Sequence, residues 1–126
     1  MKHLFLAALA AMGLSAMAQT LNVNGTLYHP GGSLSWYTAS GDRIDNEKLK
    51  KRELKWVAAS PDVFAAGFKM GDTILVKCES APDLNGKWVI KDRMGKRTRR
   101  MIDFLMAKGD TYGLKGRASL SISKVK

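Results

Sequence analysis

The sequence predicts a mainly β protein that folds into one small barrel. Six short segments with strand-like composition follow each other at close spacing, and no long amphipathic helix separates them. Twelve glycines supply the sharp turns that short strands need. With 126 residues the chain can bury one core of modest size, so we expect a single domain.

The first 18 residues have the pattern of a signal peptide. Lys2 and His3 form a basic start, residues 4–14 are an apolar run, and Ala16-Met17-Ala18 places small residues where a signal peptidase cuts. The apolar run is shorter than the roughly 20 residues that cross a bilayer, and so is every later one. We therefore expect a domain of residues 19–126 that works in the periplasm or outside the cell, without a membrane span.

The chain is strongly basic, with a formal net charge of +10 that becomes +9 when Lys2 is removed with the signal peptide. This charge favours anionic partners. The single cysteine, Cys78, excludes an internal disulfide and lies in an apolar segment, so we expect it to be buried and inert. His29 is the one histidine beyond residue 18, so the ligands for a zinc site are lacking, and no cofactor is predicted.

The first half of the domain has few regular elements. Its composition predicts a strand over residues 21–28, which His29-Pro30-Gly31-Gly32 ends, and a second extended piece at Ser35–Thr38. The charged segment 41–55 has little apolar periodicity, which predicts a surface loop with some helix.

The second half alternates strands with turns. Trp56–Ala59 is a short apolar strand, after which Ser60 and Pro61 are typical of the start of a short helix that stops at Gly67. Clustered β-branched residues predict the clearest strand at Thr73–Cys78. The remaining predicted strands are 87–91, 101–106, which ends in a helical turn at Gly109, and 118–125.

Five segments, taken in order, resemble one family of small barrels. The segments are Tyr37-Thr38-Ala39-Ser40-Gly41, Val57-Ala58-Ala59-Ser60-Pro61, 70–76, 86–93 and 100–104. They are similar to the three-aspartate (3D) and rare-lipoprotein-A-like branch of double-psi β-barrels. That branch also resembles the catalytic barrel of membrane-bound lytic transglycosylase A and the barwin and expansin domains. The resemblance covers most of residues 37–106 and implies a six-stranded double-psi β-barrel, with one or two short helices, that acts on peptidoglycan.

By this resemblance, two aspartates are candidate catalytic residues. Asp103 falls on the acid/base of the transglycosylase members, and Asp92, 11 residues earlier, falls on its supporting carboxylate. The family's third aspartate falls on Ser60, and of its glycine-rich loop only Gly95 remains. Without the resemblance, an aspartate at a strand end is more often a turn or cap residue.

The chemistry implied for Asp103 needs one carboxyl that first donates a proton and then accepts one, which a raised pKa favours. Apolar neighbours and a second carboxylate both raise the pKa of such a group. We therefore expect Asp103 to be partly enclosed and to meet Asp92 across a pair of strands. Arginines beside the acid would lower its pKa instead.

Substrate contacts are predicted from two groups of residues. Trp36 and Tyr37 are candidates for stacking on sugar rings, whereas Trp88 is expected in the core. Thr38 is a candidate for a hydrogen bond to the acid or the sugar. The basic run after Asp92 is a candidate for holding an anionic polymer, although a charge run is most often a solvated face. The predicted contacts from this run are Arg93, Lys96, Arg97 and Arg100.

These features predict an exported, peptidoglycan-active barrel that cleaves glycan strands as a lytic transglycosylase does. The alternative is a noncatalytic module of expansin-like type that binds cell-wall polysaccharide, because the third aspartate and the glycine-rich loop are missing. An exported interaction protein or inhibitor is a third hypothesis. The predicted partner is peptidoglycan or another anionic polysaccharide rather than nucleic acid, since no aromatics alternate with the basic residues. We expect a monomer.

Overall fold

The computed structural model describes residues 19–31 and 35–125 of the chain. The predicted signal peptide, residues 1–18, lies outside the described residues. No helix within the described ranges is long and apolar enough to cross a membrane. In chain order the elements are β1 (Thr20–Tyr28), α1 (Asn46–Lys50), β2 (Trp56–Ala59), α2 (Pro61–Ala65), β3 (Thr73–Lys77), the 3₁₀ helix Pro82–Leu84, β4 (Gly86–Arg93), β5 (Met101–Leu105) and β6 (Ala118–Lys124).

The six strands close into a barrel, which confirms the predicted mainly β fold with short helices. Around the barrel the strand order is β1-β5-β2-β4-β3-β6. β1 pairs in parallel with β5, and β2 with β4, while the four other neighbouring pairs are antiparallel. Because this order differs from the order along the chain, strands that are distant in sequence lie side by side.

Two short segments differ from their predicted structure. Ser35–Thr38 is not a strand, since only Tyr37 pairs, in an isolated bridge with Arg43. β5 ends at Leu105, and the chain then makes a turn at Gly109 instead of a helix. Residues 42–44 are the backbone that bonds to the first segment, and this contact is too short to form a strand. At the second segment the Asp110 N–H bonds to the Ala107 carbonyl, which closes a single turn.

The two α-helices begin with residues that are typical of helix N-termini. The Asp45 side chain caps α1 by accepting hydrogen bonds from the N–H groups of Glu47 and Lys48, both at 3.1 Å. This helix accounts for the predicted helical part of segment 41–55. Pro61 begins α2 as predicted, but Ser60 makes no side-chain cap bond to it.

The barrel interior is filled by apolar side chains from all six strands. Trp88 is fully buried, as predicted, and its indole N–H donates to the Leu84 carbonyl at 2.8 Å. Its ring meets Phe104 edge to face, with the ring centroids 4.8 Å apart. Cys78 is buried too, as predicted. The large aromatics of β4 and β5 therefore occupy the centre of the core.

A second apolar cluster lies on the outer face of the barrel. Phe104 points into the core, so its neighbour Leu105 points outward. Ile44 and Leu49, from the segment between β1 and β2, are buried against Leu105. Tyr28 packs on the same cluster. The segment that carries α1 therefore covers part of the outer face beside β1 and β5.

Gly25 allows β1 to lie close to the core. A Cβ at this position would lie 2.5 Å from Cδ2 of Leu120 and 3.0 Å from Cε2 of Phe104. Because both side chains are packed in the core, we expect Gly25→Ala to lower the free energy of unfolding by about 1–3 kcal/mol, the usual cost of overpacking. Urea denaturation measures this difference.

Gly95→Ala is the matched control, because a Cβ there would meet no atom within 4 Å. The free energy of unfolding of this variant should stay within about 0.5 kcal/mol of wild type. An equal loss of unfolding free energy in Gly25→Ala and Gly95→Ala would contradict the close packing around Gly25.

Candidate functional site

A row of side chains crosses four neighbouring strands on the outer face. Asp103 of β5 lies between Thr26 of β1 and Ala58 of β2, and Ala58 lies in turn beside Asp92 of β4. Residues directly opposite each other on neighbouring strands point to the same face. Since Phe104 points into the core, this row points outward. The result is a polar strip with one small residue in its middle.

The expectation that Asp92 and Asp103 meet across a strand pair is wrong. β4 and β5 are consecutive in the chain, but β2 lies between them in the barrel. Neighbouring strands are about 4.8 Å apart, so the backbones at the two aspartates are separated by roughly 10 Å. The methyl group of Ala58 leaves room above β2 for both carboxyl groups. The two aspartates therefore lie on either side of Ala58 on one outer surface, which we call the groove, instead of forming a cross-strand pair.

An irregularity in β4 places Asp92 on the outer face. Val57 pairs with Ile90, but the next residue of β2, Ala58, pairs with Asp92, so Lys91 is an extra residue in β4. Strict alternation from the buried Ile90 would point Asp92 inward. A β-bulge at this point reverses the direction and places the carboxylate in the outward row.

Asp103 is a half-buried carboxyl whose pKa lies above its ordinary value. Burial is the largest cause of the raised pKa, and the negative charge of Asp92 adds to it. The Thr26 hydroxyl donates to Oδ1 of Asp103 at 2.9 Å; this bond and the charge of His29 act to lower the pKa. No arginine of the described residues is among the causes of the shift. Asp103 is thus partly enclosed, and it keeps its proton to a higher pH than an exposed aspartate.

Asp92 accepts three hydrogen bonds that fix its orientation. Its Oδ1 accepts from the N–H groups of Ala39 and Arg93, each at 2.9 Å, and its Oδ2 accepts from the Tyr28 hydroxyl at 3.3 Å. Burial, followed by the charges of Asp92 and Asp103, raises the pKa of Tyr28, so its phenol stays protonated and remains a donor. The two carboxyl groups therefore have different environments. Asp92 is surrounded by several hydrogen-bond donors, whereas Asp103 is mainly enclosed.

The segment 38–42 brings the Ala39 N–H group to Asp92. The Ser40 N–H donates to the Lys91 carbonyl at 3.1 Å, and Nζ of Lys91 forms an ion pair with Asp42 at 3.0 Å. These contacts attach the segment to β4 at the bulge. The Ala39 N–H is thereby held within hydrogen-bonding distance of the carboxylate.

Thr38, which was predicted to bond the acid or the sugar, has other partners in the structure. It is 5% exposed, its hydroxyl lies 2.7 Å from Oγ of Ser40, and it donates to the Asp42 carbonyl at 3.4 Å. Its hydroxyl therefore stabilises the turn that carries Ala39. The group of this segment that reaches Asp92 is the backbone N–H of Ala39.

Trp36 and Tyr37 are the exposed large hydrophobic side chains of the described residues, at 39% and 58% exposure. The Ile44 N–H donates to the Trp36 carbonyl at 2.8 Å, which ties this segment to the outer apolar cluster. Trp36 also lines a separate pocket together with Arg43 and Asn46, and neither Asp92 nor Asp103 lines it. An aromatic surface surrounded by polar groups suits a ligand that is apolar on one face and polar at its edges.

Ser60 stands where the resembling family has its third aspartate. It is fully buried, and its Oγ accepts from the Met101 N–H at 3.0 Å and donates to Asp62 at 2.7 Å. Both oxygens of Asp62 accept from the Arg100 N–H, at 3.0 and 2.9 Å. Ser60 therefore connects the end of β2 to the start of β5, and it takes no part in the groove.

The predicted basic contacts lie in the loop between β4 and β5. The Arg93 guanidinium is 5.5 Å from the centre of the Phe64 ring, and the Arg100 side chain donates to the Asn22 carbonyl. These contacts place the loop beside α2 and the start of β1. The exposed cations of this loop, which we call the basic loop, are Arg93, Lys96, Arg97, Arg99 and Arg100.

Three groove residues were not predicted as site residues: Thr26, Tyr28 and Ala39. Thr26 and Tyr28 lie two apart in β1 and so share a face, and this alternation is visible in the sequence. It does not show that Thr26 bonds to Asp103 and Tyr28 to Asp92, because these partners are 77 and 64 residues away. The role of Ala39 resides in its backbone, which no side-chain pattern reveals.

Solved structures with the same barrel exist. Over 86% of this chain, apo expansin from Clavibacter michiganensis matches with a TM-score of 0.57 and 14% identity. The Streptomyces papain inhibitor matches over the same share with a TM-score of 0.58 and 16% identity. The chain folds as a double-psi β-barrel. The expected fold is thereby confirmed.

These double-psi matches differ in how much of each protein they cover. The chain spans 51% of the expansin chain but 96% of the papain inhibitor. A mutant of the same expansin in complex with cellohexaose matches with a TM-score of 0.56 at 13% identity. No model of a known protein family and no curated protein matches the sequence. At such identities the likeness shows the fold alone.

The raised pKa of Asp103 predicts a pH-dependent difference in stability. The stabilising contribution of the protonated carboxyl is complete below the unfolded pKa, about 3.9, and is lost as the pH rises through the higher folded pKa. Asp103→Asn has no proton to lose. We therefore expect this variant to be more stable than wild type near pH 7 and about equal to it near pH 3, as measured by thermal unfolding.

Glu79→Gln is the control, because Glu79 is an exposed carboxylate on another part of the barrel. The difference in melting temperature between Glu79→Gln and wild type should be the same near pH 3 and near pH 7. A melting temperature of Asp103→Asn below that of wild type near pH 7 would contradict a raised pKa of Asp103.

Proposed function

We propose that this chain is an exported polysaccharide-binding barrel of the cell envelope, which holds a glycan in the groove above Asp103 and Asp92. The observation that carries the proposal is the combination of two features on one face. One is the row of outward polar groups across β1, β5, β2 and β4. The other is the pair of exposed aromatic residues, Trp36 and Tyr37, beside the apolar cluster on that face.

This combination suits the chemistry of a sugar ring. The faces of a pyranose carry C–H groups that pack on an aromatic ring, and its edge carries hydroxyls that bond to carboxylates and amides. Asp92 offers acceptor oxygens, and Asp103, while protonated, offers both a donor and an acceptor. The expansin complex with cellohexaose supports the proposal, since that protein, 51% of which is covered by the match to this chain, binds a glucan oligomer.

Alanine substitution of both exposed aromatics tests the groove. We expect Trp36→Ala/Tyr37→Ala to bind glycan about tenfold more weakly or worse, because aromatic contacts carry much of the energy of such interfaces. Sedimentation with purified peptidoglycan and calorimetry with cellohexaose measure the change. Trp36→Phe/Tyr37→Phe, which keeps the aromatic rings, should retain most of the affinity.

Two results would contradict glycan binding in this groove. One is equal affinity of the alanine and phenylalanine variants. The other is inhibition of papain by the wild-type protein without any glycan binding, which would favour the inhibitor hypothesis instead. The near-complete coverage of the papain inhibitor chain makes this second assay worthwhile.

Cleavage of the bound glycan is the second candidate function, and the raised pKa of Asp103 favours it. Protonated Asp103 would donate its proton to the glycosidic oxygen as the bond from that oxygen to the muramic anomeric carbon breaks. The C6 hydroxyl of the same muramic residue would attack that carbon, and its proton would pass to the Asp103 carboxylate. The products are a 1,6-anhydro end and a free hydroxyl on the leaving sugar, and the acid is regenerated without water.

The two candidate functions differ in the behaviour of Asp103→Asn. If the barrel cleaves glycan, this variant still binds peptidoglycan, but release of 1,6-anhydro-muropeptides falls by about 100-fold or more. Mass spectrometry of the soluble fraction measures this release. If wild type releases none while both proteins sediment with the wall, cleavage is excluded and binding alone remains.

A further inference from the structure

The basic loop is a dense cationic surface. Residues 93–100 contain four of the chain's seven arginines, one lysine and no acidic residue. All five of these cations are exposed. The Arg93 N–H bonds to Asp92, but the side chains of Arg93 and Arg100 turn to Phe64 of α2 and to the Asn22 carbonyl of β1, away from the two aspartates.

The loop holds these charges on an ordered backbone. The N–H and hydroxyl groups of Thr98 both bond to the Gly95 carbonyl, at 3.0 and 2.6 Å. The Arg99 guanidinium donates to the carbonyls of Lys96 and Thr98 at 2.9 and 2.8 Å. The Arg100 N–H is bonded to Asp62. A ligand would therefore meet a preformed turn, which reduces the entropy lost on binding.

The cations of the loop form no ion pairs within the described residues. The ion pairs of these residues use Lys50, Arg52, Lys91 and Lys124 instead. The carboxylate that the loop does contact, Asp62, already accepts hydrogen bonds from the backbone N–H of Arg100 and from the Ser60 hydroxyl. The side chains of Lys96 and Arg97 thus keep all their donors for an external anion.

We propose that the basic loop binds a linear polyanion that carries phosphate on every repeat, as a second surface distinct from the glycan groove. Four of the cations lie within residues 96–100, which span about 15 Å of chain at 3.8 Å per residue. This density of positive charge suits a polymer that is charged at every repeat. It suits less well a glycan that carries a carboxylate on only some of its sugars. Arginine binds phosphate oxygens in pairs through its planar fork, and Arg97 keeps its whole fork for such a contact, whereas Arg99 and Arg100 share theirs with backbone carbonyls.

Two other anionic partners fit the loop less well. No aromatic residue lies between Arg93 and Arg100, so the bases of a nucleic acid would find no ring to stack on. Cations alone attract an anionic membrane surface, but stable attachment adds exposed apolar side chains or a lipid beside them. The exposed large hydrophobic side chains of the described residues, Trp36 and Tyr37, lie in another segment.

Binding of linear polyphosphate at several salt concentrations tests the proposal. We expect Lys96→Gln/Arg97→Gln to weaken binding about tenfold or more and to reduce the slope of log K against log salt by about 2, one for each lost phosphate contact. Neither side chain has a hydrogen bond or ion pair among the described residues, so the fold should not change. Lys108→Gln/Lys115→Gln removes two exposed charges from another loop and should leave the slope unchanged.

Three results would overturn the proposal. An equal loss of polyphosphate affinity in the two double variants would show an effect of net charge alone. Equal affinity for polyphosphate and for poly-L-glutamate of the same charge would exclude a preference for phosphate. Binding to phosphatidylglycerol vesicles without binding to polyphosphate would assign the loop to a membrane surface. Because polyphosphate contains no sugar, these results are independent of whether the groove binds glycan.

Discussion

The β-bulge in β4 is the local feature on which the site depends. It places Lys91 as an extra residue and so points Asp92 outward, into the row that contains Asp103. With regular alternation the carboxylate would be directed into a core that is filled by Trp88 and Phe104. A buried carboxylate without partners would cost several kcal/mol. The bulge thus allows a tightly packed interior and a polar outer groove to coexist on one strand.

The bulge also anchors the segment that completes the groove. Lys91 holds Asp42 by an ion pair and Ser40 by its carbonyl, and these contacts bring the Ala39 N–H group to Asp92. With its donors in place, Asp92 contributes a negative charge that raises the pKa of Asp103. One extra residue in a strand is in this way coupled to the protonation state of a carboxyl group two strands away.

The fold was largely predictable from sequence, because its strands carry strong local patterns. β3 is marked by clustered β-branched residues, and β6 by strict alternation. The order of the strands around the barrel depends on long-range pairing, which no local pattern shows, and the expected pairing of the strands that carry Asp92 and Asp103 was wrong. Ser35–Thr38 has a strand-like composition but lacks a neighbouring strand, which explains that error.

The site was predictable only in part. The resemblance identified Asp92 and Asp103, but their separation by β2 depends on the strand order, and the bulge depends on which residues of β2 face β4. Thr26 and Tyr28 share a face by simple alternation, yet nothing local connects them to residues of β4 and β5. What the sequence lacks is the pairing partner of each strand.

The most direct measurement of the groove's electrostatics is a titration of the Asp103 carboxyl carbon by NMR, in wild type and in Asp92→Asn. We expect the wild-type pKa to lie above the ordinary value of about 3.9, and the variant to lower it only in part, because burial remains the larger cause. A wild-type pKa at or below the ordinary value, or no response to Asp92→Asn, would contradict an enclosed acid that is influenced by a neighbouring carboxylate.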